Sequence, residues 1–552
     1  MESGTGAVQA APPGDGTSIP IYTRKATGLV RSVGQVDQTV FAAASTSPLG
    51  LALVFGLFSL TLFPRSNPYV ALIVALAIGI AVWVTFALLS AAIPRIGGDY
   101  TFNSRILNPW IGFAGNLAVF ISSTIGSGLW AWWFAQQGLS PAFSVIGSVT
   151  GSGTFTSWGN ELAGGHQTVS FLFAVGTLIV VSILAAFGTR LIVRVMTWMF
   201  FVAAAGFLVS MLILLFKSTS SIHHAIDAAG GAGSYNKTIA AANKAGLGGG
   251  YDATQTLGAI YSFIGVTIFV WWSTYMSAEF RGANQRKRQF VSMVGAGLGQ
   301  GTLLFIGMAI FLGAVGRVFF AGALTGSYTA GPVGSAGYAY FSALASGSNV
   351  IAVILAIAFI GWLLPGLYIN MAMCQRAILT WAFDGLIPQR AAAVNRRTHT
   401  PVFAIAATAV LATAAAAWVS YSPNFFRAFA IMQLYAYVPI VLVGLAAVLM
   451  PIRRPDLFKG SAADWRVGGI PVLQTMGSVC AVVGVFAIYL VIRFHTNLGL
   501  VNSPGGFPYF TFTWLSPLIV FVVGAAWYYI ARGVRKSEGI DLDLAYKQIP
   551  PD

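Results

Sequence analysis

The chain has 552 residues, 57% of them hydrophobic and only 8% charged, with a formal net charge of +15. A water-soluble globular chain carries about 25% charged residues, so this one lacks the polar surface to face water. One membrane bundle absorbs the length, and the length-based expectation of about three or four domains does not apply.

Residues 1–20 are rich in Gly, Ala, Pro and Ser and hold no apolar stretch. They read as a disordered tail over 1–30, not as a signal peptide. From Phe41 to Ile530 the chain is a series of about twelve apolar runs, each of about 20 residues. A helix rises about 1.5 Å per residue, so each run matches a hydrocarbon core about 30 Å thick. The spans are expected near 38–63, 68–94, 110–138, 168–188, 191–216, 256–278, 290–316, 349–375, 401–420, 428–450, 473–494 and 509–531. The fold class is therefore an all-α polytopic membrane protein with twelve transmembrane helices.

Basic residues orient it, because short cytoplasmic loops retain Lys and Arg. With the N-terminus inside, most of the 30 Lys and Arg fall on the inner side. The outer side keeps Arg65, Lys217, Lys237, Lys244, Arg317, Arg427 and Arg493. Both termini are then cytoplasmic, including a tail over 533–552. This asymmetry explains the positive charge without a nucleic-acid partner, and it favours anionic lipid. The segments 139–167, 217–255 and 317–348 read as long external loops rich in small residues. Trp130, Trp132, Trp133, Trp527, Tyr528 and Tyr529 stand near span ends and read as interfacial anchors. Cys374 and Cys480 lie within spans and read as small buried residues, not as a disulfide or metal pair.

Unpaired backbone in lipid costs several kcal/mol, so an irregular span must line a cavity or pack within protein. The first span carries Ser45, Thr46, Ser47, Pro48, Leu49 and Gly50. Pro48 removes a donor and Gly50 frees the backbone, so a proline kink and a broken helix both stay open. The sixth span has Gly265 as its one breaker, with any break between Ser262 and Ser273. The break in the sixth span rests mainly on family resemblance; two interrupted helices five spans apart would point to an inverted-repeat transporter.

Three segments carry a family resemblance. Residues 376–401 hold Arg376, Ala382, Asp384, Gly385, Pro388, Val394, Arg397, Thr400 and Pro401; residues 94–116 begin PRIGGDY; and Glu279 precedes a basic turn. Over about 30–450 the chain resembles amino acid permeases of the amino acid–polyamine–organocation (APC) superfamily. That resemblance implies a five-plus-five inverted repeat with broken helices 1 and 6 and two extra helices. The core would span 31–450, with repeats at 38–216 and 256–450 and the last two helices within 451–532. In such permeases the amides of the first broken helix hold the substrate carboxylate, and carbonyls of the first and sixth hold its ammonium. Carried over, the carboxylate site falls on residues 45–50. Pro48 stands where the usual Gly-x-Gly has its first glycine, so a hydroxyl of Ser45 or Ser47 must substitute for the lost amide.

None of the fifteen carboxylates falls in mid-span, and the five histidines lie in loops or at a span end. Intramembrane charge ordinarily marks a proton relay or a charged-substrate partner. Its absence points to a neutral, apolar or aromatic amino acid. The expected lining is Phe263, Ile264, Gly265, Phe269 and Trp272 of the sixth span with Ser122, Ser123 and Gly126 of the third. Some family members replace sodium by a fifth-helix lysine; here Ala203 stands near that position. Residues 361–375 contain no Ser or Thr for a sodium site. Proton symport, exchange and facilitated diffusion stay open, with proton coupling the default that the resemblance implies.

Asp37, Tyr100, Glu279, Arg376 and Asp384 read as solvated loop groups or as a cytoplasmic gate that re-pairs between states. A transporter of another small amine, a polyamine or a nucleobase is the alternative substrate reading. A membrane enzyme would need buried nucleophiles, acids or metal ligands at catalytic spacing, and a channel a filter or charged ring; the spans supply neither. The expected partners are a small-molecule amino acid and the lipid bilayer, without cofactor or metal. The sequence does not indicate an oligomeric state.

Overall fold

Short polar side chains start several of the long helices. Asn67 accepts hydrogen bonds from the amides of Tyr69 and Val70 ahead of a helix opening at Pro68. Asn108 accepts from Trp110 ahead of Pro109. Asp252 and Ser348 likewise take the amides of Gln255 and Ile351. Proline is harmless at a first helical position, where its missing N–H would have no partner anyway.

The computed structural model describes residues 29–46, 49–165, 167–333, 336–395, 397–421, 425–502 and 507–547. The tail expected over 1–30 lies outside them apart from Leu29 and Val30. Eleven helices among the described residues are long and apolar enough to cross a membrane. They are Pro68–Ala92, Pro109–Thr150, Gln167–Ala186, Thr189–Phe216, Ala253–Tyr275, Arg286–Val315, Asn349–Phe383, Val402–Tyr421, Arg427–Arg453, Val472–Arg493 and Tyr509–Ser537. They correspond to the second to twelfth expected spans. Over the first expected span the described residues form the helices Gln35–Thr46, Leu49–Leu57 and Ser59–Leu62, with Ser47 and Pro48 outside the described residues. The chain is an all-α polytopic membrane protein. Among the described residues its paired strands form one small hairpin, Arg466–Val467 with Ile470–Pro471, turned by Gly468 and Gly469 at positive φ.

The three connections expected as loops are largely helical. They hold Ser140–Thr150 and Gly153–Asn160, then Thr219–Gly230 and Ser234–Lys244, then Arg317–Gly322 and Gly337–Ser346. Their small residues hide an amphipathic spacing, with Ile222 and Ile226 buried on one helix and Thr238 and Ala242 on another. The third span also outruns its expected end. It carries Trp130, Trp132 and Trp133 into the interior, so these are buried and not interfacial. Trp527 and Tyr529 are exposed, but Tyr528 is buried. Cys374 and Cys480 are buried free thiols.

Lipid is as apolar as a leucine side chain, so membrane helices associate through close contact rather than through exclusion of water. Gly444 of the tenth span lies against the eleventh, where an added Cβ would stand 2.5 Å from the backbone nitrogen of Ala481. Gly128 of the third span meets the ninth in the same way, with the Ala416 nitrogen 2.4 Å from such a Cβ. The twelfth span stays peripheral, only 17% of its apolar window being buried.

Gly128→Val places its side chain against backbone that cannot yield, a cost of about 1–3 kcal/mol or more. Gly313→Val, at a position with nothing within 4 Å of an added Cβ, is the control. Melting of the detergent-purified proteins should show a drop of several degrees for the first and little change for the second.

Candidate functional site

The sixth span departs from α-helix where it packs against the first. One helix ends at Thr46 and the next begins at Leu49. Ser47, Pro48 and the side chain of Thr46 lie outside the described residues. In the sixth span the α-helix Ala253–Thr267 passes into a 3-10 helix, Ile268–Tyr275, through Thr267 at φ −129°. The change of winding leaves carbonyls to be satisfied from outside. Trp83 of the second span donates its indole N–H to the Ile268 carbonyl at 3.3 Å. The irregular backbone is thus supported by protein rather than lipid.

Between these spans lies a closed cavity of about 20 Å³, room for about one water. Ala44 and Ser45 of the first span and Gly265, Phe269 and Trp272 of the sixth form one side. Trp130, Gly366, Asn370 and Met432 form the other, and Phe55 and Phe429 cap it. No ionised side chain lines it among the described residues. Phe55 stacks on Trp133 with ring centroids 4.1 Å apart and on Phe429 at 5.9 Å, dividing the cavity from a smaller void beside Tyr261. On the opposite side Phe269 stacks against Trp272 at 4.8 Å and Tyr437 at 5.9 Å. The site is occluded in both directions. Larger cavities, about 1040 and 630 Å³, open beside the twelfth span, away from the interrupted helices.

Of the expected lining, the structure brings Ser45, Gly265, Phe269 and Trp272 to this cavity. Leu49 and Gly50 are buried elsewhere: a Cβ on Gly50 would meet Trp362 and Tyr338, themselves hydrogen-bonded at 2.8 Å. Ser122 donates to the Met432 carbonyl at 2.8 Å and Ser123 contacts the Met373 sulfur, so both are spent on helix packing. Phe263 packs on Gly56, and Ile264 is buried without reaching the cavity wall. Gly126 stands behind Asn370, where an added Cβ would lie 2.3 Å from its Oδ1. Sequence reading passes over Asn370, Trp130, Phe55 and Phe429. Asn370 was the one legible among them, an amide in an otherwise apolar segment.

Beneath the cavity, toward the face bearing the N-terminal end of the first span, lies a buried polar layer. The plainer expectation of solvated charges fails here. Glu279 accepts from Arg376 at 2.8 Å, and Arg376 also donates to Gln375 and Thr189. Asp384 pairs with Arg105 at 2.7 Å and accepts from Tyr100 at 2.7 Å. Tyr546, from a short helix Leu542–Lys547, brings its hydroxyl to 3.0 Å from that of Tyr100. Asp37 accepts from Thr197 at 2.8 Å. Main-chain bonds draw the layer together: the Val33 amide donates to the Glu279 carbonyl at 3.1 Å, and Arg281 returns one to Val33 at 3.0 Å. Sequence spacing cannot show such pairing, because the acid–base partners stand about 100 and 280 residues apart and Tyr100 and Tyr546 stand 446 apart.

Asp99, in the connection between the second and third spans, is fully buried. It accepts from Tyr275 and, at 3.3 Å, from Asn116, which also takes the Trp381 indole N–H at 2.9 Å. Burial outweighs these hydrogen bonds and pushes its carboxyl up to about 7. Among the described residues no group of three His, Cys, Asp or Glu comes together to hold a metal.

Two outcomes follow from this layer. The folded state holds a proton on Asp99 up to about pH 7, whereas the unfolded carboxyl releases its own near 3.8. Its contribution is therefore full below about pH 4 and is lost as pH rises through 7. The melting temperature should fall more steeply between pH 5 and 8 in the parent protein than in Asp99→Asn. Arg376→Ala strands a buried Glu279 and should cost about 3–5 kcal/mol of stability, read as loss of folded yield or a large melting shift.

No curated protein matches the chain closely enough to count as a relative. A family model described as amino acid permease matches residues 38–531, nearly the whole bundle. The matched segment includes the first and sixth spans, the cavity between them and every span up to the twelfth. The chain belongs to the amino acid permease family of the APC superfamily.

Proposed function

We propose that this permease is a secondary transporter that moves a neutral amino acid with a mainly apolar side chain across the plasma membrane by alternating access. The observation that carries the reading is the small cavity between the first and sixth spans, walled by rings, small residues and one amide and by no ionised group among the described residues. A lysine or glutamate side chain would enter such a cavity without a counter-charge, which is expensive in a low dielectric. A zwitterion is accommodated differently, by free peptide groups where a helix parts. On this reading spans one to five and six to ten are the inverted halves, and the last two spans are appended. The basic face is cytoplasmic, as the distribution of Lys and Arg favours.

The coupling ion we infer is the proton. Asp99 changes charge near neutral pH and is hydrogen-bonded to Tyr275, the last residue of the 3-10 segment. Its ionisation would bear directly on the end of an interrupted helix.

Purified protein in proteoliposomes should take up labelled neutral amino acids saturably, with counterflow from unlabelled substrate and acceleration by an inward proton gradient. Lysine and glutamate at tenfold excess should leave uptake nearly unchanged. Strong competition by either charged amino acid would contradict the neutral site. Uptake indifferent to the proton gradient, in the parent and in Asp99→Asn alike, would remove the coupling reading alone.

A further inference from the structure

Two residues on the wall of the central cavity each carry a buried polar atom with no hydrogen-bond partner among the described residues. The atoms are Asn370 Oδ1 and the indole N–H of Trp272. Asn370 is 0% exposed and Trp272 only 4%. The Asn370 amide cannot simply be turned round. Its Nδ2 donates to the Gly366 carbonyl at 2.9 Å, and the reversed amide would set oxygen against oxygen. The carboxamide oxygen is thus fixed as an unused acceptor. Its neighbours are Gly126, whose missing side chain leaves it room, and the Met432 sulfur, 3.1 Å from where a Gly126 Cβ would be.

An apolar ligand does not account for these atoms. Leaving a buried donor and a buried acceptor unpaired is costly, and a methyl group beside them would satisfy neither. A hydroxyl or a carboxamide satisfies both, since each donates and accepts. Asn370 also stands on the side of the cavity away from the interrupted backbone. It belongs to the eighth span and packs toward the third and tenth, whereas the peptide groups suited to a carboxylate and an ammonium belong to the first and sixth. That position leaves it for the part of the ligand that distinguishes one amino acid from another.

We infer that Asn370 Oδ1 and Trp272 Nε1 form an acceptor–donor pair that selects a neutral hydrogen-bonding group, a hydroxyl or carboxamide, on the side chain of the transported amino acid. The inference rests on the neutral-amino-acid reading above and narrows it. Aromatic walls take the carbon skeleton, and the amide and indole read its polar tip. Sites built to hydrogen-bond a substrate group discriminate far more strongly against analogues lacking it than apolar pockets do against an added group.

The test uses isosteric pairs on full-length protein: threonine against valine, asparagine against leucine, and tyrosine against phenylalanine, each by ligand-induced thermal shift and by uptake in proteoliposomes. The expected result is that the polar member of at least one pair binds tenfold or more tighter than its apolar partner. Asn370→Leu, which keeps the bulk and removes the acceptor, should reduce that ratio towards one. Trp272→Phe keeps a ring, removes only the N–H donor with the larger indole, and should lower the ratio as well. Valine, leucine and phenylalanine binding as tightly as their polar partners would overturn the inference while leaving neutral transport intact. So would a ratio that survives both substitutions. Failure of every amino acid to bind or enter would overturn the transport reading and this inference with it.

Discussion

A peptide group in hydrocarbon has no water to turn to, and the site of this protein depends on how that constraint is met where the sixth span stops being α-helical. In the sixth span the α-helix gives way to 3-10 winding at Thr267, and Trp83 takes up the carbonyl of Ile268. In the first span one helix closes at Thr46 and another opens at Leu49. The 3-10 stretch of the sixth span faces Ala44 and Ser45 of the first across a cavity also walled by the third, eighth and tenth spans.

Charge is kept out of this cavity and concentrated below it. The Glu279–Arg376 and Asp384–Arg105 pairs are almost wholly buried, with Tyr100 and Tyr546 closing around the second. Buried pairs of this kind are weak contributors to stability, since their attraction does little more than offset desolvation. Their value lies in being discrete: each pair is either made or broken. Main-chain bonds from Val33 to the end of the sixth span tie the layer together, and we propose that it acts as a closure that opens completely or remains shut. Phe55, Trp133 and Phe429 close the opposite side by ring stacking, a seal that needs no charge.

The bundle itself was legible because hydrocarbon thickness imposes a length that no soluble core requires, and the eleven long helices fall where apolar runs predicted them. The helices within 139–167, 217–255 and 317–348 were not, since Gly, Ser and Ala mask a short amphipathic repeat. Site residues divided along similar lines. Gly265 and Trp272 were accessible through the expected break in the sixth span. Gly50 lies away from this cavity, and its close neighbours Trp362 and Tyr338, some 300 residues away, are revealed only by folding. The acidic residues misled in another way. Loop position suggests solvent, but Glu279, Asp384 and Asp99 lie in connections or helix ends folded inward. Asn370 escaped notice for a simpler reason: a search for hydroxyl groups and ionised side chains passes over an amide.

The account stands on a neutral zwitterion held between parted helices by peptide groups and uncharged side chains. A high-resolution cryo-EM map of the protein with a transported amino acid addresses this most directly. Ligand density is predicted between Ser45, Gly265, Trp272 and Asn370, with every ionised side chain of the protein beyond hydrogen-bond reach. Density at another place, or in contact with a carboxylate or guanidinium that has moved into the cavity, would contradict the account.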